Sequence, residues 1–461
     1  EDMVPLHPTN RGVGLYGDKV YFAAAEAVLV ALDAKTGKEV WTTKVDDYKK
    51  GYYMSLAPLV IDGKVLLGAS GGEVGVRGFL AAFDAETGKE LWKTYTVPAP
   101  GEPGSETWPA GGVHYKRGGG SIWVTGTYDP DTNLTFWGTG NGGPWFGDQR
   151  PGDNLYTSSV VAFDATSGAI KGHFQYHPND SWDWDEVSPP IVVDYQRDGK
   201  TVKGLVNVAR NGYLWQLERT NGKINFIDGQ PFVRQNVFKS LDPKTGRPDI
   251  DEARKPGTGK TAEFCPSLWG GKDWPPVAYS PQTRMMYIPA NDNLCTELAG
   301  EPVKYVQGER YMGVAKNVLK MVAGSDHIGE LQAWDLDTGK KGMDDQPAVV
   351  QLGSLARHRR RASVRGRHER SHVPRLRCQD RQDPVGIPDR LRGCGGTGFV
   401  SGRRQAIHRG SVRLGRGPRQ DAGPHEPDLP RSISGGAAGR RDLGFCGEVR
   451  LREVRFGSVW E

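Results

Sequence analysis

Three short stretches carry residues whose types and spacing could do chemistry. His177-Pro178-Asn179-Asp180-Ser181-Trp182-Asp183-Trp184-Asp185 sets carboxylates at alternating positions between indoles. On a strand, residues two apart face the same side, so Asp183 and Asp185 could reach one ion. Ser70-Gly71-Gly72-Glu73 puts a carboxylate on a loop of bare glycines that other groups can approach closely. Gly118-Gly119-Gly120-Ser121-Ile122-Trp123 ends in a ring suited to stacking on another planar system. Each has a plainer reading when taken alone: a solvated hairpin for Ser70–Glu73, a solvent-facing Asp185, one more core indole for Trp123.

The elements that must position these residues are announced by a repeat. Ala31–Trp41 reads ALDAKTGKEVW and Ala82–Trp92 reads AFDAETGKELW. Ala162–Gly172 keeps the first half and loses the Trp, while Leu217–Phe226 and Ala333–Lys341 are weaker copies. The pattern predicts a strand, a tight Asp-x-x-Thr-Gly turn and a second strand, with Gly supplying positive φ and Asp accepting turn amides. The terminal Trp can dock between neighbouring sheets. Copies about one blade apart predict radially stacked four-stranded sheets, a β-propeller, over a sandwich of hairpins.

Composition agrees. With 63 Gly, 13 Trp, 16 Tyr and a mean hydropathy of -0.56, the 461-residue chain fits a turn-rich β protein. No apolar run is long enough for an integral membrane helix. Five Cys exclude a dense disulfide scaffold, and no Cys-x-x-Cys-His haem-attachment motif occurs.

The net charge of +5 hides two different stretches. Residues 354–461 hold 24 Arg, no Lys and 11 acidic residues, whereas residues 1–353 carry a net charge of -8. Such a tail invites a nucleic-acid reading, but basic arms normally mix Lys with Arg. A shifted reading frame explains it better. With suitable codons, Arg375–Gly386 (RLRCQDRQDPVG) read one base later gives AFDAKTGKILW, nearly the motif at Ala82–Trp92. The expected frame change lies near residues 345–355. The division is then 1–353, a partial propeller, and 354–461, an Arg-rich, disordered frameshift product without a nucleic-acid partner.

The motifs together make the chain resemble the pyrroloquinoline quinone (PQQ) dependent alcohol dehydrogenases of the methanol/ethanol dehydrogenase family, eight-bladed propellers with tryptophan-docking motifs. The resemblance runs from about residue 8 to 353 in frame, starting after the family's first blade region, so the N-terminus reads as truncated. Asn10-Arg11-Gly12 matches the segment whose Arg reaches the quinone. Where the family has two adjacent bridged cysteines upstream, this chain has Val4-Pro5-Leu6-His7. The resemblance implies cofactor contacts at Arg11, Ser55, Ser70, Gly71, Gly72, Ser121, Trp123, Arg210 and Asn291. It implies metal ligands at Glu73, Asn141, Asp183 and Asp185. Asp183 matches the catalytic base, and Asp185 the extra carboxylate of lanthanide-using members. A fourth oxygen ligand adds negative charge and favours a lanthanide ion over Ca²⁺. Cys265 and Cys295 match a family disulfide, worth on the order of 3 kcal/mol for its loop, with two buried thiols as the other reading.

The implied activity is periplasmic oxidation of primary alcohols to aldehydes by metal-assisted hydride transfer to the quinone, with electrons passed to a cytochrome c. A homodimer is left open. The competing expectations are an inactive fragment or pseudogene product, and a non-catalytic propeller scaffold.

Overall fold

Each Asp-x-x-Thr-Gly stretch closes in the same way. Asp84 Oδ1 accepts from the Glu86 N–H at 3.1 Å, the Thr87 N–H at 2.8 Å and the Thr87 hydroxyl at 2.8 Å. Asp33 and Asp164 repeat the three bonds with Lys35 and Thr36, and with Thr166 and Ser167. Gly37, Gly88 and Gly168 lie at φ 69°, 71° and 72°, which an L side chain rarely adopts. The computed structural model describes residues 9–345 apart from position 221, and backbone alone for 343–345. The segment after residue 353 and the Val4–His7 stretch lie outside the described residues.

These turns join the third and fourth strands of antiparallel four-stranded sheets. Five such sheets occur among the described residues. The first is Gly14–Tyr16, Lys19–Ala24, Val28–Asp33 and Glu39–Lys44. The second is Leu59–Ile61, Lys64–Gly68, Phe79–Asp84 and Glu90–Tyr95. The third is Thr127–Asp129, Leu134–Gly138, Ser159–Asp164 and Ile170–Gln175. The fourth is Ile191–Val192, Gly204–Val208, Tyr213–Thr220 and Lys223–Pro231. The fifth is Ala278–Ser280, Met285–Ala290, Glu330–Asp335 and Lys340–Asp345. A separate sheet of Thr261–Phe264, Leu294–Gly300 and Val314–Met321 draws two of its strands from between the second and third strands of the fifth. The architecture is the expected all-β propeller; the expected count of eight blades extends past the described residues.

Docking between sheets is a specific contact. Trp41 of the first sheet donates its indole N–H to Ala85 O at 3.1 Å in the turn of the second. A Cβ on Gly88 would stand 2.5 Å from Trp41 Cε3, so that turn needs glycine for space as well as for φ. Trp92 meets Gly168 of the third sheet in the same way, a Cβ there falling 2.4 Å from its Cε3. The third copy lacks its Trp because a side chain at Gly172 would meet Gly222 O at 2.1 Å.

Leu217–Phe226 is not an Asp turn: Thr220 pairs with Lys223 across a tight hairpin. Its Phe226 does dock, a Cβ on Gly246 falling 2.5 Å from the ring. Gly246 belongs to a further Asp-x-x-Thr-Gly turn, where Asp242 accepts from Lys244 and Thr245. Three buried clusters fill the spaces between successive sheets, one of them containing Leu29, Phe79, Phe83 and Val161.

Candidate active site

Chain topology sorts the molecule into two ends. In a four-stranded meander the 1–2 and 3–4 turns fall at one end of the sheet, and the 2–3 and 4–1 connections at the other. The Asp turns at Asp33, Asp84, Asp164 and Asp335 are 3–4 connections, whereas the one at Asp242 joins a separate two-stranded sheet, Phe238–Leu241 with Pro248–Ile250. Ser70–Glu73, Asn141, Arg210 and Asn291 lie in the 2–3 connections of the second, third, fourth and fifth sheets. Ser55, Ser121–Trp123 and Asp183–Asp185 lie in 4–1 connections, and Arg11 just precedes the first strand. The expected residues therefore share the end opposite the turns.

Three of these loops are laced together by backbone bonds. Gly78 N–H donates to Gly119 O at 2.8 Å, Gly119 N–H to Val76 O at 3.0 Å, Gly120 N–H to Asn141 O at 2.8 Å and Gly140 N–H to Ser121 O at 2.8 Å. Such contacts need backbone with nothing attached: a Cβ on Gly78 would lie 2.1 Å from Gly120 O. Gly71, at φ 115°, would bring a Cβ within 2.3 Å of Gly51 O. A Cβ on Gly72 would stand 3.3 Å from both Asn141 Oδ1 and Ser121 Oγ, which puts the Glu73 loop directly against those side chains. Ser55 Oγ and Ser70 Oγ are 2.8 Å apart beneath it.

Asp183 and Asp185 come together, but not for the reason expected. The segment is not a strand, and Asp183 sits at φ 62°, in the left-handed region. Strand alternation does not apply; a turn aims the carboxylates. Asp183 Oδ2 lies 3.5 Å from Arg210 Nη2, and Asp185 Oδ2 lies 3.8 Å from Arg210 Nη1. The two acids are not equivalent. Asp185 accepts from the Asn141 N–H through Oδ1 and from the Trp123 indole at 2.7 Å through Oδ2. Asp183 Oδ1 is buried without a donor.

Burial pushes Asp183 well above the usual carboxylate range; Arg210 opposes this while Asp185 and Glu73 add to it. Burial, against Arg210 and with Glu73, raises Asp185 to about 7. Burial works against the Arg210 charge, yet Asp273, Asp183 and Asp185 outweigh it and hold that guanidinium more firmly protonated than usual.

Arg11 lies with its Cζ 4.7 Å from the Trp123 ring centre and 4.8 Å from that of Trp274. Its Nη1 donates to Ser55 O at 3.3 Å, and its Nε is buried without an acceptor. Asn291 closes the far side: its N–H donates to Gly271 O, and Gly271 N–H to Arg210 O at 2.9 Å.

The structure adds residues the sequence reading passed over. Trp274 forms the second face around Arg11. Lys272 is buried, donates at 2.7 Å to Ser188 Oγ and to Asp273 O, and is pushed by burial down to about 8. Glu186, fully buried, takes the N–H groups of Arg210 at 2.8 Å and Asn211 at 3.0 Å. Lys272-Asp273-Trp274, basic, acidic and aromatic after two glycines, was the available signal. Cys265 and Cys295 form a disulfide.

Among the described residues no three His, Cys, Asp or Glu side chains close into a ready-made metal cage. The donors still suit a hard cation beside a planar acceptor. Asn141 Oδ1, Asp183 Oδ1 and Asn291 Oδ1 are buried acceptors without donors, and Arg11 Nε is a buried donor without an acceptor. Unsatisfied buried groups are rare and costly, so these four, with Asp273 Oδ1 beside Arg210 as a fifth, mark where a ligand completes the structure. A cation is the partner that acceptors beside two acids call for.

Comparison with known proteins agrees with this chemistry. Residues 44–245 match the β-propeller domain of glucose, ethanol and alcohol dehydrogenases that use PQQ. The chain is 40% identical over 355 residues to quinoprotein alcohol dehydrogenase PedH of Pseudomonas putida, covering 72% of this chain and 58% of that protein. It is 37% identical over 356 residues to the lanthanide-dependent methanol dehydrogenase of Methylacidiphilum fumariolicum, covering 72% of this chain and 57% of that one. A europium-containing methanol dehydrogenase structure superposes with a TM-score of 0.71 at 34% identity, covering 75% of this chain and 63% of that one. A β-propeller with this set of loops belongs to the PQQ-dependent alcohol dehydrogenase family. The chain spans under two thirds of the length of these relatives.

Proposed function

We propose that this protein oxidises primary alcohols to aldehydes with PQQ and a bound cation. The observation that carries the reading is the cluster of unpartnered buried atoms, Asn141 Oδ1, Asp183 Oδ1, Asn291 Oδ1 and Arg11 Nε, around Arg210 and Trp123. Glu73, Asn141, Asp183 and Asp185 would hold the cation, with Asp185 using lone pairs left over from its two protein donors. Arg11, Ser55, Ser70, Gly71, Gly72, Ser121, Trp123, Arg210 and Asn291 would hold the cofactor. When bound, the quinone supplies a two-electron acceptor and the cation a Lewis acid.

As a carboxylate, Asp183 would take the hydroxyl proton of the alcohol; because burial makes it hold its own proton more firmly, it does so only once that proton has been displaced on loading the site. Arg210, beside both acids, steadies the carboxylate charge and keeps Asp183 oriented. Trp123 pins Asp185 through its indole N–H while offering its face to a planar ligand. The laced glycine loops exclude water by bringing backbone against backbone.

The four-donor set with a second Asp favours a lanthanide ion over Ca²⁺, in keeping with the lanthanide and europium proteins to which the chain is similar. A periplasmic location suits the disulfide, and a cytochrome c would accept the electrons. The division at residue 353, with an out-of-frame segment after it, is part of the same reading.

The test is a dye-linked alcohol assay with PQQ and either La³⁺ or Ca²⁺, on the chain as written and on a frame-restored chain. Turnover with primary alcohols, higher with La³⁺, is expected at least of the restored chain. No turnover with either ion in both chains overturns the reading. Sequencing the DNA across codons 340 to 360 tests the frame.

A further inference from the structure

Asp183 carries the proposed base on a backbone that an aspartate does not choose unaided. Its φ of 62° lies in the left-handed region, which is uncommon for a residue with a side chain although aspartate tolerates it better than most, so the bonds its neighbours make there matter. Asp180 is the neighbour in position to do so. Its Oδ2 accepts from the Asp183 N–H at 3.1 Å, and its Oδ1 accepts from the Trp182 and Trp184 N–H groups at 3.3 Å each. One carboxylate thus gathers three successive amides and winds the turn around itself.

Asp180 is itself seated from below. His177 Nε2 lies 3.1 Å from Asp180 Oδ1, and the Asp180 carbonyl takes a hydrogen bond from the buried Arg150 guanidinium. From His177 the path continues: its Nδ1 is 3.4 Å from Asn211 Nδ2 and 3.6 Å from Glu186 Oε1. Glu186 in turn holds the backbone of Arg210 and Asn211. Asp180, His177 and Glu186 are each 0% exposed, and their polar atoms face protein partners. They tie the loop bearing two acids to the loop bearing the arginine those acids face.

We propose that Asp180, seated on His177, is a positioning residue that holds Asp183 in its left-handed turn and so presents the Asp183 and Asp185 carboxylates together to Arg210. The role is one of accepting hydrogen bonds. It rests on the alcohol dehydrogenase reading only for what the positioned loop then does. Partners of this kind, one layer behind ligating groups, typically govern metal affinity or activity by about 10–100-fold.

The experiment uses the full chain with Asp180→Ala, Asp180→Asn and His177→Ala. It reads crystal structures, Eu³⁺ binding by luminescence, and alcohol turnover per PQQ-loaded site. Asp180→Ala is expected to move residue 183 out of positive φ or away from Arg210, and to weaken Eu³⁺ binding at least about tenfold. It should lower kcat about a hundredfold while changing the alcohol KM less than about threefold. Asp180→Asn, which keeps one acceptor oxygen but turns an NH2 donor toward amides that the other oxygen accepts from, should bind Eu³⁺ with an affinity between those of Asp180→Ala and wild type.

An unchanged Asp183 backbone with Eu³⁺ affinity within about twofold of wild type overturns the proposal, since a merely structural residue would lower stability without moving either readout. If Asp180→Ala yields no folded protein, His177→Ala decides: a weaker Eu³⁺ site with an altered Asp183 turn supports the proposal, and no change in either overturns it. A wild-type chain that neither binds Eu³⁺ nor oxidises alcohols counts against the enzymatic reading alone. The backbone at residue 183, in wild type and variants, still decides the positioning role.

Discussion

The two ends of the sheets are built on opposite rules. At the turn end, carboxylates are half-buried or exposed at the surface, each is satisfied by its own loop, and the arrangement repeats. The Thr36 and Thr87 hydroxyls lead in holding Asp33 and Asp84 below the ordinary carboxylate range, and the Ser167 and Thr245 amides do so for Asp164 and Asp242. At the site end, carboxylates are buried and crowd one another. Asp183, Asp185 and Glu186 are all raised, burial first. A carboxylate that meets its donors within four residues stabilises a fold by itself. One that meets other carboxylates from distant loops asks for a partner the chain does not contain.

The sharpest way to break this contrast is Asp183→Asn. It removes the proposed proton acceptor while leaving the turn and its amide bonds intact. Turnover per loaded site should fall about 10²–10⁴-fold, with the melting temperature nearly unchanged. Retained turnover in a dye-linked assay would remove Asp183 from the chemistry.

At the other end, Trp92→Ala should cost about 3 kcal/mol in chemical denaturation, by loss of a large docked ring and the space it leaves against Gly168. The same change should leave Eu³⁺ affinity per folded molecule unaltered. A loss of affinity instead would show that the ends are not independent.

The pH dependence has opposite signs at the two ends. The turn acids, with lowered pKa, stabilise the fold above the unfolded value of about 3.9, and that stability is lost as pH falls below it. The site acids, with raised pKa, leave the cation-free fold most stable below about 4 and cost stability as pH rises through about 7 for Asp185. A cation must displace that proton. Its affinity should therefore drop at least about tenfold between pH 8 and pH 6, more if the Asp183 proton is displaced as well, read by Eu³⁺ luminescence titration. A flat profile would mean that Asp185 is already ionised.

The smallest expected effect is Asp84→Ala, about 1 kcal/mol in the same denaturation experiment, because one exposed turn loses bonds that water partly replaces. A much larger loss would mark that turn as part of the docking contact and not a local closure.

The turn end was readable because its causes are local. Asp84, Thr87 and Gly88 lie within five residues, and their bonds depend on that spacing alone. Even there, Gly172 in place of Trp made sense only once Gly222 was seen against it, and Asp242-Pro243-Lys244-Thr245-Gly246 fits the motif in full without belonging to a four-stranded sheet.

Sequence by itself determined the blade repeat and the docking rings and named the acids and amide proposed for the site, because side-chain chemistry is written residue by residue. Tertiary structure alone decided how those acids meet. Asp183 and Asp185 converge through a left-handed turn held by Asp180, not through strand alternation. Lys272 and Trp274 join from a loop nearly ninety residues further along the chain. The physical reason is reach: a turn closes over four residues by hydrogen bonds the local chain supplies, whereas a buried charge cluster exists only where sheets far apart in sequence bring their connections to one end.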